Sequence, residues 1–568
     1  MIGTRVAGAW ILAMLAGGCA AHAEQAPLMS VLIKPGKVDT ATARGDVDVT
    51  LAFPAASVAA GGPLLSMGMF TPGLARPQQL LQLKVSDDAG EVPMREGAPV
   101  NASPGPAQGG PKQWTPERPV QGQVVVQYRL LAENIPALSG GPPTALRVDG
   151  DAISAVGGSL IMTPALQGDH RIDLRWDTTA MGPGTEGVSS YGDGDVSLPA
   201  GPLARLSRAV YMAGTLEREP ASGAGAFSAV WVKGQPPFDP RPAMQWTARL
   251  HSAMSQFFHD EAEPPYRVFM RHNPMNAGGG AALTHSFIIT YGTGVTGQSI
   301  QSILGHEMTH TWTAADIGKW YSEGNAVFYQ ALIPWRAGLI TADEYLTDLN
   351  ETAYRYFTNA LRDTPEDQVV PRFWEDTRIR VLPYDRGAMY FAVLNGKVVR
   401  VSGGKRSMDD LIRTMIQRER EGQPITEAVW LDLLRAELGE EGPAVHASMM
   451  AGGLMLPASE DFGPCFRRVV QRMPQFDLGF DNASFLSNPK VIQGLKPDSQ
   501  AARAGLRNGD QVSYAVALDA LQGDLSRTLD LQVTRDGETF PLSYRPRGAE
   551  VDAYQWERVP HATDPACR

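Results

Sequence analysis

The spacing of apolar residues changes part-way along the chain. In the first third they alternate. Val47-Asp48-Val49-Thr50-Leu51-Ala52-Phe53, Val124-Val125-Val126-Gln127-Tyr128-Arg129 and Arg171-Ile172-Asp173-Leu174-Arg175-Trp176 each put every second side chain on one face, as half-buried strands do. Glycine- and proline-rich joints separate these runs, and Met94 to Pro119 reads as an irregular loop. Residues 24–205 are therefore expected to form an N-terminal β domain, sandwich-like in architecture. From about Leu206 the period lengthens. Ala243 to Phe258 reads as a helix and Tyr266-Arg267-Val268-Phe269-Met270 as a strand. Ile300, Ile303, Leu304, Met308 and Trp312 recur at helical spacing. Thr341-Ala342-Asp343-Glu344 is a capping box opening a helix towards Leu361, and Ser407-Met408-Asp409-Asp410 caps another. A small sheet followed by helices thus occupies residues 206–456.

Candidate chemistry falls on that helical part. His306-Glu307-Met308-Thr309-His310 is an H-E-x-x-H box on the helix predicted from Ile300 onward. Residues four apart share a helix face, about 5–6 Å apart at Cβ, so both imidazoles can reach one metal ion. Glu307 lies one residue along, where its carboxylate can meet a water on the metal rather than the metal itself. Glu323, in Trp320-Tyr321-Ser322-Glu323-Gly324, completes a His/His/Glu set, a standard three-ligand solution for catalytic zinc. It is read as opening a helix from Glu323 to Leu332, closed by Pro334. A glutamate at a helix start also suits the helix dipole without any metal.

H-E-M-T-H-T-W followed by W-Y-S-E-G resembles the glycyl aminopeptidase family of zinc peptidases, within the gluzincin group that includes thermolysin. That group usually leaves about eighteen residues between the second histidine and the glutamate; here twelve separate His310 from Glu323. Leu382-Pro383-Tyr384-Asp385-Arg386-Gly387 resembles the family's P-Y-[DE]-K-G segment, with arginine for lysine. The resemblance implies that Tyr384 donates to the oxyanion formed when water attacks a carbonyl. Gly278 to Ser286, ahead of the strand Phe287-Ile288-Ile289-Thr290, is similar to the family's G-G-L-E-H edge strand. Gly279, Gly280, Thr284 and His285 are the implied substrate contacts, with Thr284 standing where the amine-binding glutamate is expected. The resemblance implies a thermolysin-like catalytic domain, a peptide substrate and one zinc per chain. Aminopeptidase action on small first residues is the leading expectation. A zinc endopeptidase and a non-catalytic peptide-binding adaptor are the alternatives.

Residues 457–550 resemble a PDZ domain. Asp477-Leu478-Gly479-Phe480 is similar to the carboxylate-binding loop, so Leu478, Gly479 and Phe480 are candidate peptide contacts. Asp477 replaces the usual first glycine there. Ser499 to Val512 matches the short helix and G-D turn of bacterial PDZ modules, and residues 551–568 are left as a tail. The fold class expected is multidomain α+β. Met1 to Arg5, Val6 to Leu15 and Ala21-His22-Ala23 read as a signal peptide over residues 1–23. Leu15-Ala16-Gly17-Gly18-Cys19 reads alternatively as a lipobox, with a lipid anchor at Cys19. Export implies a periplasmic or secreted protein, or an outer-membrane lipoprotein, in which Cys465 and Cys567 can pair as a disulfide. The net charge of −11, with no basic tract, argues against nucleic acid as a partner. No later stretch is apolar enough to span a bilayer.

Overall fold

The computed structural model describes residues 26–99, 110–138, 140–223, 225–260, 265–313 and 317–560. The signal peptide, Cys19 and Cys567 lie outside the described residues. The chain forms two compact units. One comprises the described residues up to Leu138 together with Thr144–Arg218 and Val230–Gln235; the other holds the rest.

The first unit is β-rich. Its largest sheet has seven strands: β1 (Leu28–Pro35), β2 (Arg44–Val58), β3 (Leu80–Asp87), β4 (Gly90–Glu91), β5 (Val120–Glu133), β6 (His170–Trp176) and β7 (Val196–Gly201). They lie in the order β7-β6-β1-β2-β5-β3-β4, with β1 and β6 parallel. The alternation in the sequence sets the register. Ile33 pairs with Val49 and Val31 with Leu51 across β1 and β2, and Leu51 with Val126 across β2 and β5. All five are buried in one core, and burial of each such side chain contributes roughly 1.5–3 kcal/mol. Two corrections apply. The expected loop from Met94 to Pro119 contains strands Met94–Glu96 and Lys112–Pro116, paired with Glu96 opposite Trp114. Trp114 is buried but its neighbours are polar, too short an alternation to read. The β-rich unit also runs past residue 205, where Val210–Gly214 pairs with Ala152–Val156.

The second unit carries the helices. β8 (Tyr266–His272) runs parallel to β10 (Ser286–Tyr291), and β9 (Gly280–Leu283) pairs antiparallel with β10 at the sheet edge. Then follow α1 (Arg241–Phe257, ahead of β8 in the chain), α2 (Gln301–Thr313), α3 (Lys319–Arg336), α4 (Ala342–Phe357) and α5 (Glu366–Arg372). α6 (Thr377–Arg380), α7 (Leu382–Val401), α8 (Met408–Arg420), α9 (Glu427–Leu438) and α10 (Glu441–Met450) complete the series. Both capping boxes form, at Thr341 with Glu344 and at Ser407 with Asp410. On α2 the helical stripe is buried as expected: Leu304 and Met308 are inaccessible and Trp312 nearly so.

α3 corrects the expected helix. It starts at Lys319, so Glu323 sits in its second turn, and Pro334 lies inside its last turn rather than closing it. Proline removes the N–H that would bond the carbonyl four residues back, that of Gln330. That carbonyl faces Gly305 of α2, where a Cβ would come within 2.3 Å of it.

The C-terminal segment adds a two-stranded ribbon of β11 (Phe466–Phe476) and β16 (Arg547–Arg558), and a four-stranded antiparallel sheet. The sheet strands are β12 (Lys490–Val491), β13 (Gln511–Tyr514), β14 (Leu529–Arg535) and β15 (Glu538–Tyr544), accompanied by short helices α11 (Gln500–Arg503) and α12 (Leu518–Gly523). Much of the expected tail is therefore strand β16; Glu550, Asp552 and Glu557 hide its alternation in the sequence. Cys465 is disulfide-bonded. Among the described residues no helix is long and apolar enough to cross a membrane.

Candidate metal centre

Two glycine contacts bring the site together. Gly305 lets α2 meet α3 at the backbone of Gln330. Gly324, the residue after Glu323, packs on Gly387 of α7, where a Cβ on either would fall 2.7 Å from the other's Cα. Only glycine permits such approaches. α2, α3 and α7 are thus held backbone to backbone, with His306 and His310 on the first, Glu323 on the second and Tyr384 in the first turn of the third.

The ligand atoms converge. His306 Nε2 lies 3.2 Å from His310 Nε2. Glu323 Oε2 lies 3.4 Å from His306 Nε2 and 3.3 Å from His310 Nε2. Zinc bound tetrahedrally at about 2.0–2.1 Å separates its ligands by about 3.3–3.4 Å, so the three atoms have the spacing of one face of that tetrahedron. His306 Nδ1 is 3.2 Å from Gln330 Oε1, and Gln330 Nε2 donates to Asp348 at 2.8 Å. With the Nδ1 proton on Gln330, the Nε2 lone pair of His306 is left for a metal. Ser302 donates to the same Asp348 oxygen at 2.6 Å. Burial raises the Glu323 carboxyl, but the imidazoles of His306 and His310 beside it outweigh burial and hold the group below the usual carboxylate range. Two facing imidazole nitrogens and an ionised carboxylate fit a divalent cation of nitrogen and oxygen preference, which zinc is.

Glu307 faces β9. A Cβ at Gly280 would lie 2.6 Å from its side chain, and the Ala282 N–H donates to it. Burial pushes the Glu307 carboxyl up to about 7; Glu323 adds to the rise, while His306 and the Ala282 amide oppose it. A carboxyl poised there suits a general base at neutral pH. Tyr384 stacks on His306, with ring centroids 5.8 Å apart and planes 18° from parallel. Burial, then the charges of Glu323, Asp519 and Glu307, raises its phenol well above the ordinary value, with Arg380 opposing. The hydroxyl therefore stays a donor.

The structure gathers His306, Glu307, His310, Glu323 and Tyr384, and sets Gly280 against them. Gly279 lies one residue back, its amide on Thr290 Oγ1 at 3.2 Å. Thr284 and His285 form the turn between β9 and β10, with His285 at φ 42°. The Thr284 carbonyl accepts from Ser286, and the charge acting on His285 is that of Asp260. Gln330 was missed in the sequence, although seven residues after Glu323 on one helix places it on the same face.

No family model matches the sequence, and no curated protein does. Solved structures do. A crystal structure of an aminopeptidase N family protein from Idiomarina loihiensis superimposes with a TM-score of 0.63 at 14% identity. The match covers 93% of this chain and 98% of that one. The fold is that of the Idiomarina protein. An M1 zinc metallopeptidase from Deinococcus radiodurans also matches, over 76% of this chain and 96% of that one, at 14% identity and a TM-score of 0.45. The two chains share that fold with little sequence in common.

Proposed function

We propose that this chain is a zinc-dependent peptidase and that it acts as an aminopeptidase. The observation that carries the reading is the triangle of His306, His310 and Glu323 atoms at 3.2–3.4 Å. Glu307, against β9, and Tyr384, stacked on His306, stand beside it. Bound zinc polarises a carbonyl and acidifies water. Glu307 takes the proton of the attacking water and returns it to the leaving amine. Tyr384 donates to the oxygen on which charge develops. The edge strand β9 offers its backbone to an extended peptide, and Gly280, Ala281 and Ala282 leave room for it. The aminopeptidase N fold favours removal of N-terminal residues.

One observation favours the endopeptidase reading instead. β9 carries Gly280, Ala281, Ala282 and Leu283 and no carboxylate to meet a free ammonium. Matched peptides with free and N-acetylated termini separate the two readings, assayed with and without chelator. Rapid cleavage of the free peptide alone supports the aminopeptidase; equal cleavage of both overturns it. Chelator-insensitive hydrolysis would sink the zinc reading altogether. We further propose export by the N-terminal segment, which N-terminal sequencing of the mature protein checks.

A further inference from the structure

We propose that the C-terminal module is an intramolecular brace for the active site, with Asp519 as the residue that positions Tyr384. The proposal rests on the role given to Tyr384 above. α6 is a single turn of four residues, Thr377–Arg380. An isolated turn of that length does not hold itself. It leads through Val381 straight into α7, whose Asp385 N–H bonds back to the Val381 carbonyl at 2.9 Å. Arg380 and Tyr384 are four residues apart on this helical run, hence on one face.

Side chains of the C-terminal module hold the turn. Asp519 of α12 takes the Arg380 guanidinium in a two-pronged pair, 2.9 Å from Nε and 2.7 Å from Nη2. The same carboxylate accepts from the Thr377 hydroxyl. Gln522, one turn along α12, donates to Thr377 Oγ1 at 2.7 Å. Asn482 reaches the Asp376 carboxylate that caps α6. A two-pronged arginine–carboxylate pair fixes orientation as well as distance. Arg547 closes the other end of α12, donating to the Leu521 and Asp524 carbonyls.

The same module shows little of a free peptide groove. The Gly479 N–H, which a peptide carboxylate would require, donates to Asp477 Oδ1 at 2.8 Å. Asp477 is itself paired with Lys496 at 2.6 Å. After Phe480 the chain enters a short 3-10 turn, Asn482–Phe485, rather than an edge strand. Asp519, Gln522 and Asn482 of the module are directed instead at the turn that leads into α7 and Tyr384. Its ligand is the chain itself.

The test is a double-mutant cycle with a structural readout. Asp519→Asn keeps the shape of the side chain and removes its charge. It is expected to lower kcat by about 10–100-fold, the scale of an ångström misplacement, with KM and zinc content little changed. Asp519→Glu should recover most of the loss. In the Tyr384→Phe enzyme, Asp519→Asn should cost nothing further, because its effect passes through the phenol. An equal loss in both backgrounds overturns the proposal, as does a change confined to KM. A crystal structure of the metal-free Asp519→Asn protein keeps the two readings apart. If Tyr384→Phe proves fully active, the oxyanion role fails, yet displacement of the Tyr384 ring from His306 in that crystal still supports the brace. An unmoved ring overturns it. Thr377→Val, which removes one contact and no charge, should give a smaller effect in the same direction.

Discussion

The metal-bearing helices and the start of α7 are built on opposite principles. α2 and α3 meet through an absent side chain, Gly305 on the Gln330 backbone, as α3 and α7 do further along at Gly324 and Gly387. The first turns of α7 are held by charges reaching in from elsewhere. Arg355 of α4 grips Asp385 with contacts of 2.6 and 3.1 Å, Arg386 pairs with Glu366, and Arg380 pairs with Asp519. Asp385 and Arg386 are completely buried. A metal centre tolerates little change in ligand spacing, and backbone contact leaves least room for drift. A hydrogen-bond donor to a developing charge needs direction as well as distance, which paired charges on neighbouring residues supply. One region should therefore fail when an atom is added, the other when a charge is removed.

The largest effect should come from adding a methyl group to the metal side. Gly305→Ala would put its Cβ 2.3 Å from a backbone oxygen that cannot rotate away. α2 and α3 must separate, and the ligand triangle opens with them. Metal analysis of purified Gly305→Ala should show most of the zinc gone, as it should for His310→Ala, against about one per wild-type chain. Full zinc content in Gly305→Ala would show that backbone contact does not set the ligand spacing.

On the α7 side, Arg355→Met should leave Asp385 buried without its partner. Breaking a buried pair from one side costs about 3–5 kcal/mol, which thermal unfolding would register as a clear fall in Tm. Zinc should stay bound in the protein that remains folded. Loss of zinc in step with stability would mean that the two regions are one. Tyr384→Phe removes a single oxygen and no packing. It should retain fold and metal and lower kcat by about 10²–10³-fold, the scale of other oxyanion donors. Steady-state kinetics with unchanged kcat would move that role elsewhere.

The same contrast explains what could be read in the sequence. His306, Glu307, His310 and Glu323 lie within eighteen residues, so helical spacing alone gathers them. Strands β2, β5 and β6 declare themselves because their alternating residues face one core. The end of α3 is misread because Pro334 looks like a stop, whereas in a last turn it merely frees a carbonyl. The motif around Tyr384 was visible, but not the reason for Asp385 and Arg386, whose partners lie thirty and twenty residues upstream. Asp519 is 139 residues from Arg380; no local pattern connects them. Thr284 lies in the tight turn after β9, and the Ala282 amide that meets Glu307 carries no side-chain signal in the sequence. Contacts made by absent side chains and by distant charges are the two kinds that composition and period do not report.

The smallest expected effect concerns the metal-free protein and the Glu307 carboxyl. Glu307 is buried beside Glu323, and its folded value is pushed up to about 7 from an ordinary 4.5. A group raised on folding holds its proton more tightly in the native state than in the unfolded chain. Its contribution is therefore most favourable below the ordinary value and declines as pH rises through the folded one. Metal-free wild-type protein should thus lose stability between about pH 4.5 and 7, as an unpaired charge forms in the core. Glu307→Gln cannot ionise and should show a flatter profile over the same window. The readout is the difference in denaturant midpoint between the two proteins across that range. With zinc restored the difference should shrink, because a cation beside the carboxylate stabilises the charged form. Parallel profiles without metal would show that solvent reaches Glu307 from the β9 side, and the poised base would then need another origin.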